Sequence, residues 1–334
     1  MRALILLLLV SCAPRYSARP PLPFEDFPYT SVDGKPWPVK TLALEGTALQ
    51  LGLAVTPKIA YVELNPDGAQ SVLLIHGLGS YLKFWRYQVD ELAARGFRVV
   101  AIDLPGYGKS DKPGSFPYTM EAFAMVAHEV IGELGLGQTI VFGHSMGGHI
   151  AMTLALEHPD DVRALVLTSP AGFEAFSARE RAWFESVVRT ELFLAATEED
   201  IWNSVRASNF ARWRDDLDWL IEERVRVAKT PGFRPYVWAN VLSVRGLTHT
   251  EYTRQNLGSV AAPTLIVYGT DDQLIPNPFM HGGHTRDVME YGHRGIPGSR
   301  VAPLAGCGHS VQLDCPKEYN AAVAAFLAAV APTQ

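Results

Sequence analysis

The chain has 334 residues, of which 48% are hydrophobic and 19% are charged, and its formal net charge at pH 7 is −6. That hydrophobic content is enough to bury a sizeable core in one large or two modest domains. The negative charge and the lack of a Lys/Arg run argue against nucleic acid as a partner and favour a small molecule. The sequence has no repeat of fixed period and no apolar stretch of about 18 residues that would span a bilayer.

Residues 1–12 are typical of an export signal. A basic start, Met1-Arg2, precedes an apolar run over residues 3–10 that is too short to span a membrane. The stretch Leu9-Val10-Ser11-Cys12 resembles the bacterial lipobox. That resemblance implies that Cys12 carries lipid and becomes the mature N-terminus of a protein anchored in the bacterial cell envelope. The alternatives are secretion with cleavage nearby and a misassigned start codon.

Residues 13–40 are rich in proline, which favours an extended backbone. The prolines of this segment are Pro14, Pro20, Pro21, Pro23, Pro28, Pro36 and Pro38. Composition therefore predicts a tether that holds the globular part of the chain away from the membrane.

Residues 41–170 begin the predicted globular core. A tight turn is predicted at residues 65–68, and the continuous apolar run over residues 71–75 predicts a strand that is buried on both faces. The glycine-rich loop after this strand, residues 76–80, has backbone N–H groups that can face a ligand at the carboxyl edge of the sheet. We interpret His76, which begins this loop, as a hydrogen-bonded support for it.

Strand and helix patterns then alternate as far as residue 170. The predicted elements are a helix at 85–95, a strand at 97–102, a helix at 118–134, a strand at 139–142, a helix ending near 158 and a strand at 162–169. Gly108-Lys109-Ser110 lacks the earlier glycine of a phosphate-binding loop, and we interpret it as a tight turn. The alternation predicts an α/β fold, with a mostly parallel twisted sheet and helices on both faces.

The pentapeptide Gly143-His144-Ser145-Met146-Gly147 lies between a predicted strand and a predicted helix. It has the G-x-S-x-G pattern of a nucleophile elbow, where a sharp turn exposes the serine hydroxyl and the glycines prevent backbone collisions. In such an elbow the backbone N–H of the residue after the serine, here Met146, donates to the oxyanion of the reaction. The alternative is a glycine-rich turn with an incidental serine.

Residues 171–258 interrupt the alternation with helical patterns rich in Trp, Phe, Arg and acidic residues. An insertion between two core strands predicts a helical cap over the carboxyl edge, where it would select the substrate. The alternative is ordinary helical packing elsewhere on the surface. The core resumes over residues 259–334, with strands at 263–268 and 300–304 and a closing helix at 317–330.

An acidic residue follows the first of these late strands and a histidine follows the second. The chain order is therefore Ser145, Asp272, His309, which is the order of α/β hydrolases and differs from the orders on other serine-hydrolase folds. A neutral imidazole at His309 can take the serine proton, and a carboxylate beside it fixes the tautomer of the imidazole.

With these motifs the sequence resembles the α/β-hydrolase superfamily over roughly residues 42–330. The resemblance rests on His76-Gly77 and on the stretches at 103–111, 143–147, 269–276 and 308–309. The family pattern resembles Gly-x-x-Asp-x-x-x-Pro, which favours Asp272 over its neighbour Asp271 as the acid. The resemblance also implies that the backbone N–H of Leu78 is the second oxyanion donor.

The resemblance implies a serine hydrolase that forms an acyl-enzyme at Ser145 and needs no metal or cofactor. Dehalogenases and epoxide hydrolases of this superfamily attack with an aspartate, so the serine excludes them. Hydrolysis of carboxylic esters or lipids is the leading interpretation. Amide hydrolysis, carbon–carbon bond hydrolysis and perhydrolase activity are alternatives on the same three residues, and a non-catalytic binding protein is a further alternative.

The remaining cysteines and histidines are interpreted as structural. Cys307 and Cys315 could close a small disulfide loop, but two buried or free thiols are the preferred interpretation. His281, His284 and His293 lack partners at a metal-binding spacing, and we interpret them as loop or surface histidines.

Overall fold

The computed structural model describes residues 16–249 and 251–330. The predicted signal, with Cys12, lies outside the described residues. Within the described ranges, no helix is both long enough and apolar enough to cross a lipid bilayer.

The described residues form one eight-stranded sheet. Its strands are β1 (Val39–Ala43), β2 (Lys58–Leu64), β3 (Ser71–Ile75), β4 (Arg98–Ile102), β5 (Thr139–His144), β6 (Val162–Thr168), β7 (Thr264–Gly269) and β8 (Arg300–Leu304). The spatial order is β1-β2-β4-β3-β5-β6-β7-β8. β2 pairs in antiparallel fashion with β1 and β4, and every other neighbouring pair is parallel. The predicted mostly parallel sheet is confirmed.

Helices connect these strands. They are α1 (Glu45–Gln50), α2 (Val89–Ala94), α3 (Met120–Glu133), α4 (Met146–Glu157), α5 (Ala178–Val187), α6 (Thr190–Leu194), α7 (Glu198–Asn209), α8 (Trp219–Val227), α9 (Phe233–His249), α10 (Tyr252–Gln255), α11 (Thr285–Gly295), α12 (Val311–Asp314) and α13 (Pro316–Val330). The hydroxyl of Thr119 accepts the N–H of Ala122, so α3 begins at a side-chain N-cap. The predicted helix at 85–95 is shorter in the structure, because Trp85 belongs to a preceding 3-10 turn.

The central strands are buried on both faces. Every residue of β3 and β5 is buried, as the continuous apolar run in β3 predicts. α4 packs against both β5 and β6, so most of its own apolar residues are buried as well. This double coverage holds the carboxyl ends of the parallel strands in one rigid edge, where the loops after them meet.

Helices α5 to α9 are inserted between β6 and β7, and α8 and α9 contact the loops after β3 and β4 at that edge. The hydroxyl of Tyr107, in the loop after β4, donates to Ser243 of α9 at 2.8 Å. α9 also approaches residue 118 closely, because a Cβ atom at Gly246 would lie 2.3 Å from the carbonyl oxygen of Tyr118. The short helix α10 packs instead against α4, so the last part of the insertion belongs with the core.

The proline-rich segment packs on the globular part. The side chains of five aromatic residues are at most 5% exposed, namely Tyr16, Phe24, Phe27, Tyr29 and Trp37. The backbone N–H groups of Tyr16 and Ser17 donate to the carboxylate of Glu198 at the start of α7. The predicted tether is therefore wrong over residues 16–40. The prolines do favour extended backbone, but the aromatic residues between them bury enough apolar surface to fix the segment in place.

Candidate active site

Ser145 lies at the turn between β5 and α4, in a backbone conformation that few residues adopt. Its φ is 52° and its ψ is −116°, a combination that is strained for any residue with a Cβ atom. The surrounding backbones leave no room for side chains. A Cβ atom at Gly147 would lie 2.3 Å from the carbonyl oxygen of Ile75, and one at Gly143 would lie 2.2 Å from that of Gly147. The local shape is that of the predicted elbow.

Asp272 and His309 form a buried pair. A carboxylate oxygen of Asp272 lies 2.7 Å from Nδ1 of His309, and the two residues are 7% and 3% exposed. The other carboxylate oxygen accepts the N–H groups of Leu274 and Ile275, at 2.7 and 3.1 Å. Because the carboxylate accepts the Nδ1 proton, Nε2 of His309 is left as the proton acceptor of the neutral ring.

Asp271, the alternative acid, is placed elsewhere. Its carboxylate accepts the hydroxyl of Thr270 at 2.9 Å on the surface, and its backbone N–H donates to the carbonyl of Cys307. The structure thus pairs His309 with the aspartate that the family spacing favours.

The loop that carries His309 is closed by a disulfide. Cys307 and Cys315 are bonded, with their Cα atoms 6.0 Å apart. The preferred interpretation of two free thiols is therefore wrong; sequence spacing alone could not show that the two Cα atoms lie within bridging distance. One carboxylate oxygen of Asp314 accepts the N–H groups of Gly308 and Ala211, which ties the same loop to the end of α7.

This loop also contacts the elbow directly. Nε2 of His144 lies 3.3 Å from the carbonyl oxygen of His309, so the ring donates there. The two imidazole rings are 5.1 Å apart. Burial lowers the pKa of His144 well below its usual value, which keeps the ring neutral. His144 thereby fixes the backbone of His309 beside Ser145 without adding a charge.

The loop after β3 lies next to Ser145. A Cβ atom at Gly77 would lie 3.1 Å from the Cβ of Ser145. His76 supports this loop, because its Nδ1–H donates to the carbonyl of Gly77 at 2.8 Å and its Nε2 accepts the N–H of Leu104 at 3.1 Å. Burial lowers the pKa of His76 to about 4, so the ring stays neutral in both contacts.

The two predicted oxyanion donors flank the serine. Leu78 follows Gly77 in this loop, and Met146 is the first residue of α4, where a backbone N–H has no partner within the helix. Their catalytic role stays a prediction.

Asp103 is buried at the end of β4 and organises the surrounding loops. It accepts the hydroxyl of Tyr29 at 2.6 Å and the N–H groups of Leu82 and Lys109, both at 2.8 Å. Burial raises its pKa to about 6. The predicted tight turn at 108–110 is confirmed: it wraps around this carboxylate, and a Cβ atom at Gly108 would lie 2.2 Å from it.

Two cap residues that sequence reasoning missed also reach this region. The carbonyl oxygen of Gly79 accepts the hydroxyl of Tyr236 at 2.9 Å and an N–H of Arg224. Next to Arg224, the carboxylate of Glu223 pairs with Lys83 at 2.5 Å, and both side chains are 4% exposed. No local pattern marks these residues, since their partners lie 140 or more positions away in the chain.

The histidines at 281, 284 and 293 do not gather into one group. His281 contacts Glu174 and Glu180 through its two ring nitrogens, at 2.8 and 3.0 Å. His293 lies near Ser299. His281 therefore joins the loop after Asp272 to the beginning of the cap.

Comparison with known proteins assigns a family to most of the chain. A family model described as the alpha/beta hydrolase fold matches residues 70–316. The chain is 27% identical over 283 residues to a 2-hydroxy-6-oxononadienedioate/2-hydroxy-6-oxononatrienedioate hydrolase from Cupriavidus pinatubonensis, covering 78% of this chain and 87% of that protein. It is 25% identical over 287 residues to the monoacylglycerol lipase abhd6-A of Xenopus laevis, covering 81% and 79% of the two chains.

A solved structure shares the architecture. The crystal structure of a probable hydrolytic enzyme from Pseudomonas aeruginosa superimposes with a TM-score of 0.79, over 92% of this chain and 98% of that one, at 24% sequence identity. At that level of identity the likeness concerns the fold.

Replacing Cys307 and Cys315 with serine should lower the free energy of unfolding by about 2 kcal/mol, because a short closed loop no longer restricts the unfolded chain. Urea unfolding followed by tryptophan fluorescence measures the change. Reduction of the parent chain should reproduce it, and the double variant should not respond to reductant. Both chains should carry Cys12→Ser, so that no third thiol interferes. Two thiols that titrate in the native, unreduced parent would contradict the disulfide.

Proposed function

The chain belongs to the α/β-hydrolase family, and from this premise we propose that it is a serine hydrolase that cleaves carboxylic esters, lipids among them. The observation that supports this most is the buried Asp272–His309 pair at 2.7 Å, on a loop that contacts the strained elbow of Ser145. The match to a monoacylglycerol lipase is in keeping with an ester substrate.

The proposed reaction has two halves. As the hydroxyl oxygen of Ser145 attacks the ester carbonyl, its proton passes to Nε2 of His309, and Asp272 stabilises the imidazolium that forms. The backbone N–H groups of Leu78 and Met146 donate to the oxyanion. His309 then protonates the departing alcohol, and a water molecule releases the acyl group by the same route. Side chains and water make every proton transfer, so the scheme includes no metal or cofactor.

Carbon–carbon bond hydrolysis is the second candidate. The relative at 27% identity is named for a dienedioate that carries a keto group, and the same three residues could act on such a substrate. A binding protein that has lost catalysis is the alternative of a different class.

Ser145→Ala should abolish labelling by a fluorophosphonate probe and lower kcat on p-nitrophenyl esters at least about 1,000-fold, because the attacking oxygen is removed. Ser186→Ala, in which a cap serine loses its contact with the carbonyl of Trp183, is the matched control and should keep full activity. The esters should be assayed beside a vinylogous diketone substrate.

The outcomes separate the candidates. Turnover of the diketone alone would favour the carbon–carbon hydrolase. A wild-type chain that is neither labelled nor active on either substrate would favour the binding protein. Full ester cleavage by Ser145→Ala would contradict the assignment of the nucleophile.

We also propose that the protein is exported to the bacterial cell envelope and anchored there through lipid on Cys12. The lipobox-like Leu9-Val10-Ser11-Cys12 stretch suggests the anchor, and the Cys307–Cys315 disulfide suits an oxidising compartment. The substrate under this proposal is a small ester or lipid, and the lipid anchor makes the envelope membrane a partner.

The mature protein from membranes should have the intact mass of a chain that begins at a diacylated Cys12. Cys12→Ser should move the protein from the membrane to the soluble fraction while its esterase activity is unchanged, because residue 12 takes no part in the proposed reaction at Ser145. An unmodified N-terminus at Met1 would contradict the anchor.

A further inference from the structure

The loop that carries Leu78 is held at two points. On the core side, the carbonyl of Gly77 accepts Nδ1–H of His76 at 2.8 Å and the hydroxyl of Ser80 at 2.7 Å. The N–H of Leu78 belongs to the same planar peptide as this carbonyl and points the opposite way. Fixing the carbonyl of Gly77 therefore fixes the direction in which the N–H of Leu78 points.

The second point belongs to the cap. The carbonyl of Gly79 accepts Tyr236, from α9, and Arg224, from α8, so two inserted helices meet at one oxygen. Gly79 has a φ of +68°, a conformation open mainly to glycine, and glycine is the residue with the greatest backbone freedom. The Gly79 end of the loop is thus held by contacts from outside the core.

We propose that Tyr236 and Arg224 are positioning residues of the oxyanion hole, through which the seating of the cap controls the alignment of the Leu78 N–H. This inference rests on the proposed function, since it assumes that Leu78 donates during the reaction. The cap would then act on the oxyanion hole as well as on the substrate. A shift of the cap would break the contacts with the carbonyl of Gly79 and free the loop that carries Leu78.

Both positioning residues are held rigidly. Arg224 directly follows Glu223, whose carboxylate pairs with Lys83 and accepts the hydroxyl of Tyr81, all in buried positions. These contacts dock α8 onto the residues that follow Gly79.

Tyr236 is 5% exposed and packs against the rings of Phe24 and Tyr107, with centroids 5.3 and 6.0 Å away. The donors therefore have little freedom to follow a displaced loop.

Tyr236→Phe and Arg224→Met should each lower kcat on a short p-nitrophenyl ester, and the double variant should lower it by about 10-fold to 100-fold, as expected for a small misplacement of a catalytic group. KM should stay within about twofold, because the donor acts in the transition state. Affinity for a boronic acid, which mimics the tetrahedral intermediate, should fall in parallel with kcat. Arg224→Lys should restore part of the loss.

Tyr118→Phe is the matched control, because its hydroxyl also donates to a backbone carbonyl at 2.9 Å, that of Pro113. It should leave kcat unchanged. If the double variant keeps wild-type kcat and boronate affinity in a chain whose Ser145 reacts with fluorophosphonate, the positioning role is wrong. If the wild-type chain does not react, the proposed function fails instead.

A separate cluster lies at the opposite edge of the sheet. His128 of α3, His158 just after α4 and Asp161 before β6 place their ligand atoms within 4.8 Å of one another. Nδ1 of His128 lies 2.5 Å from the Asp161 carboxylate, and the two imidazole rings are stacked 3.8 Å apart. All three side chains are partly exposed, so they can turn toward a common ligand.

We infer that this cluster binds a divalent transition-metal ion of the Zn²⁺ type, with two imidazoles, one carboxylate and water as ligands. Imidazole nitrogen and carboxylate oxygen are ligands that zinc takes at about 2 Å. On binding, the ion replaces the proton between His128 and Asp161, and the two rings tilt apart so that both lone pairs meet it.

Zn²⁺ at about 100 times its dissociation constant should raise the Tm by about 4 °C, because it binds the folded state alone. Co²⁺ should give the visible absorption of a four-coordinate site. His158→Ala and Asp161→Asn should remove both effects, whereas His249→Ala, at an exposed histidine beside Glu185, should keep them. Esterase activity should not respond to metal or chelator. A wild-type chain with neither a Tm shift nor Co²⁺ absorption would refute the site.

Discussion

The close approach of three backbones beside Ser145 is the constraint on which the rest of the site depends. The end of β3, the elbow and the first turn of α4 cross so tightly that a single Cβ atom at Gly147 would overlap the carbonyl of Ile75. Because the backbones touch, the loop after β3 is brought beside the serine without any side chain to bridge them. The strain at Ser145 is held in place by this packing, and the fully buried strands on either side prevent its relaxation.

Buried polar side chains fix the loops around this close approach of backbones. Burial lowers the pKa values of His76 and His144, so both rings stay neutral. Each ring fixes an adjacent loop through hydrogen bonds to the backbone. Asp103 gathers a tyrosine from the N-terminal segment and two backbone N–H groups around one carboxylate. Burying a carboxylate is costly and raises its pKa, and the three hydrogen bonds that Asp103 accepts offset this cost while they hold the loops of the site.

The parts of the molecule set by local pattern could be predicted from the sequence. The central strands and the elbow shape follow from apolar runs and from the spacing of a few glycines. The choice of Asp272 over Asp271 follows from the resemblance to the family pattern. The packing of residues 16–40 could not be predicted, because proline content describes the backbone while distant aromatic partners decide where it lies. The contacts of Arg224 and Tyr236 with Gly79 join residues far apart in the chain, which no local pattern contains. The two cysteines of the disulfide are close in the chain, but their spacing does not give the distance between their Cα atoms.

The contacts of Tyr16 with the cap limit how far residue 12 can lie from the globular part of the protein. Tyr16 is fixed to Glu198 of α7, and its hydroxyl donates to Asp218 beside α8. Only three residues separate it from Cys12, so the four Cα–Cα steps between the two residues span at most about 14 Å even for fully extended chain. If residue 12 is anchored as proposed, the anchoring surface must therefore lie within that distance of the part of the cap that holds Tyr16. A linker this short restricts the orientation of the protein as well as its distance from the surface. An anchored molecule would therefore keep its cap helices near that surface.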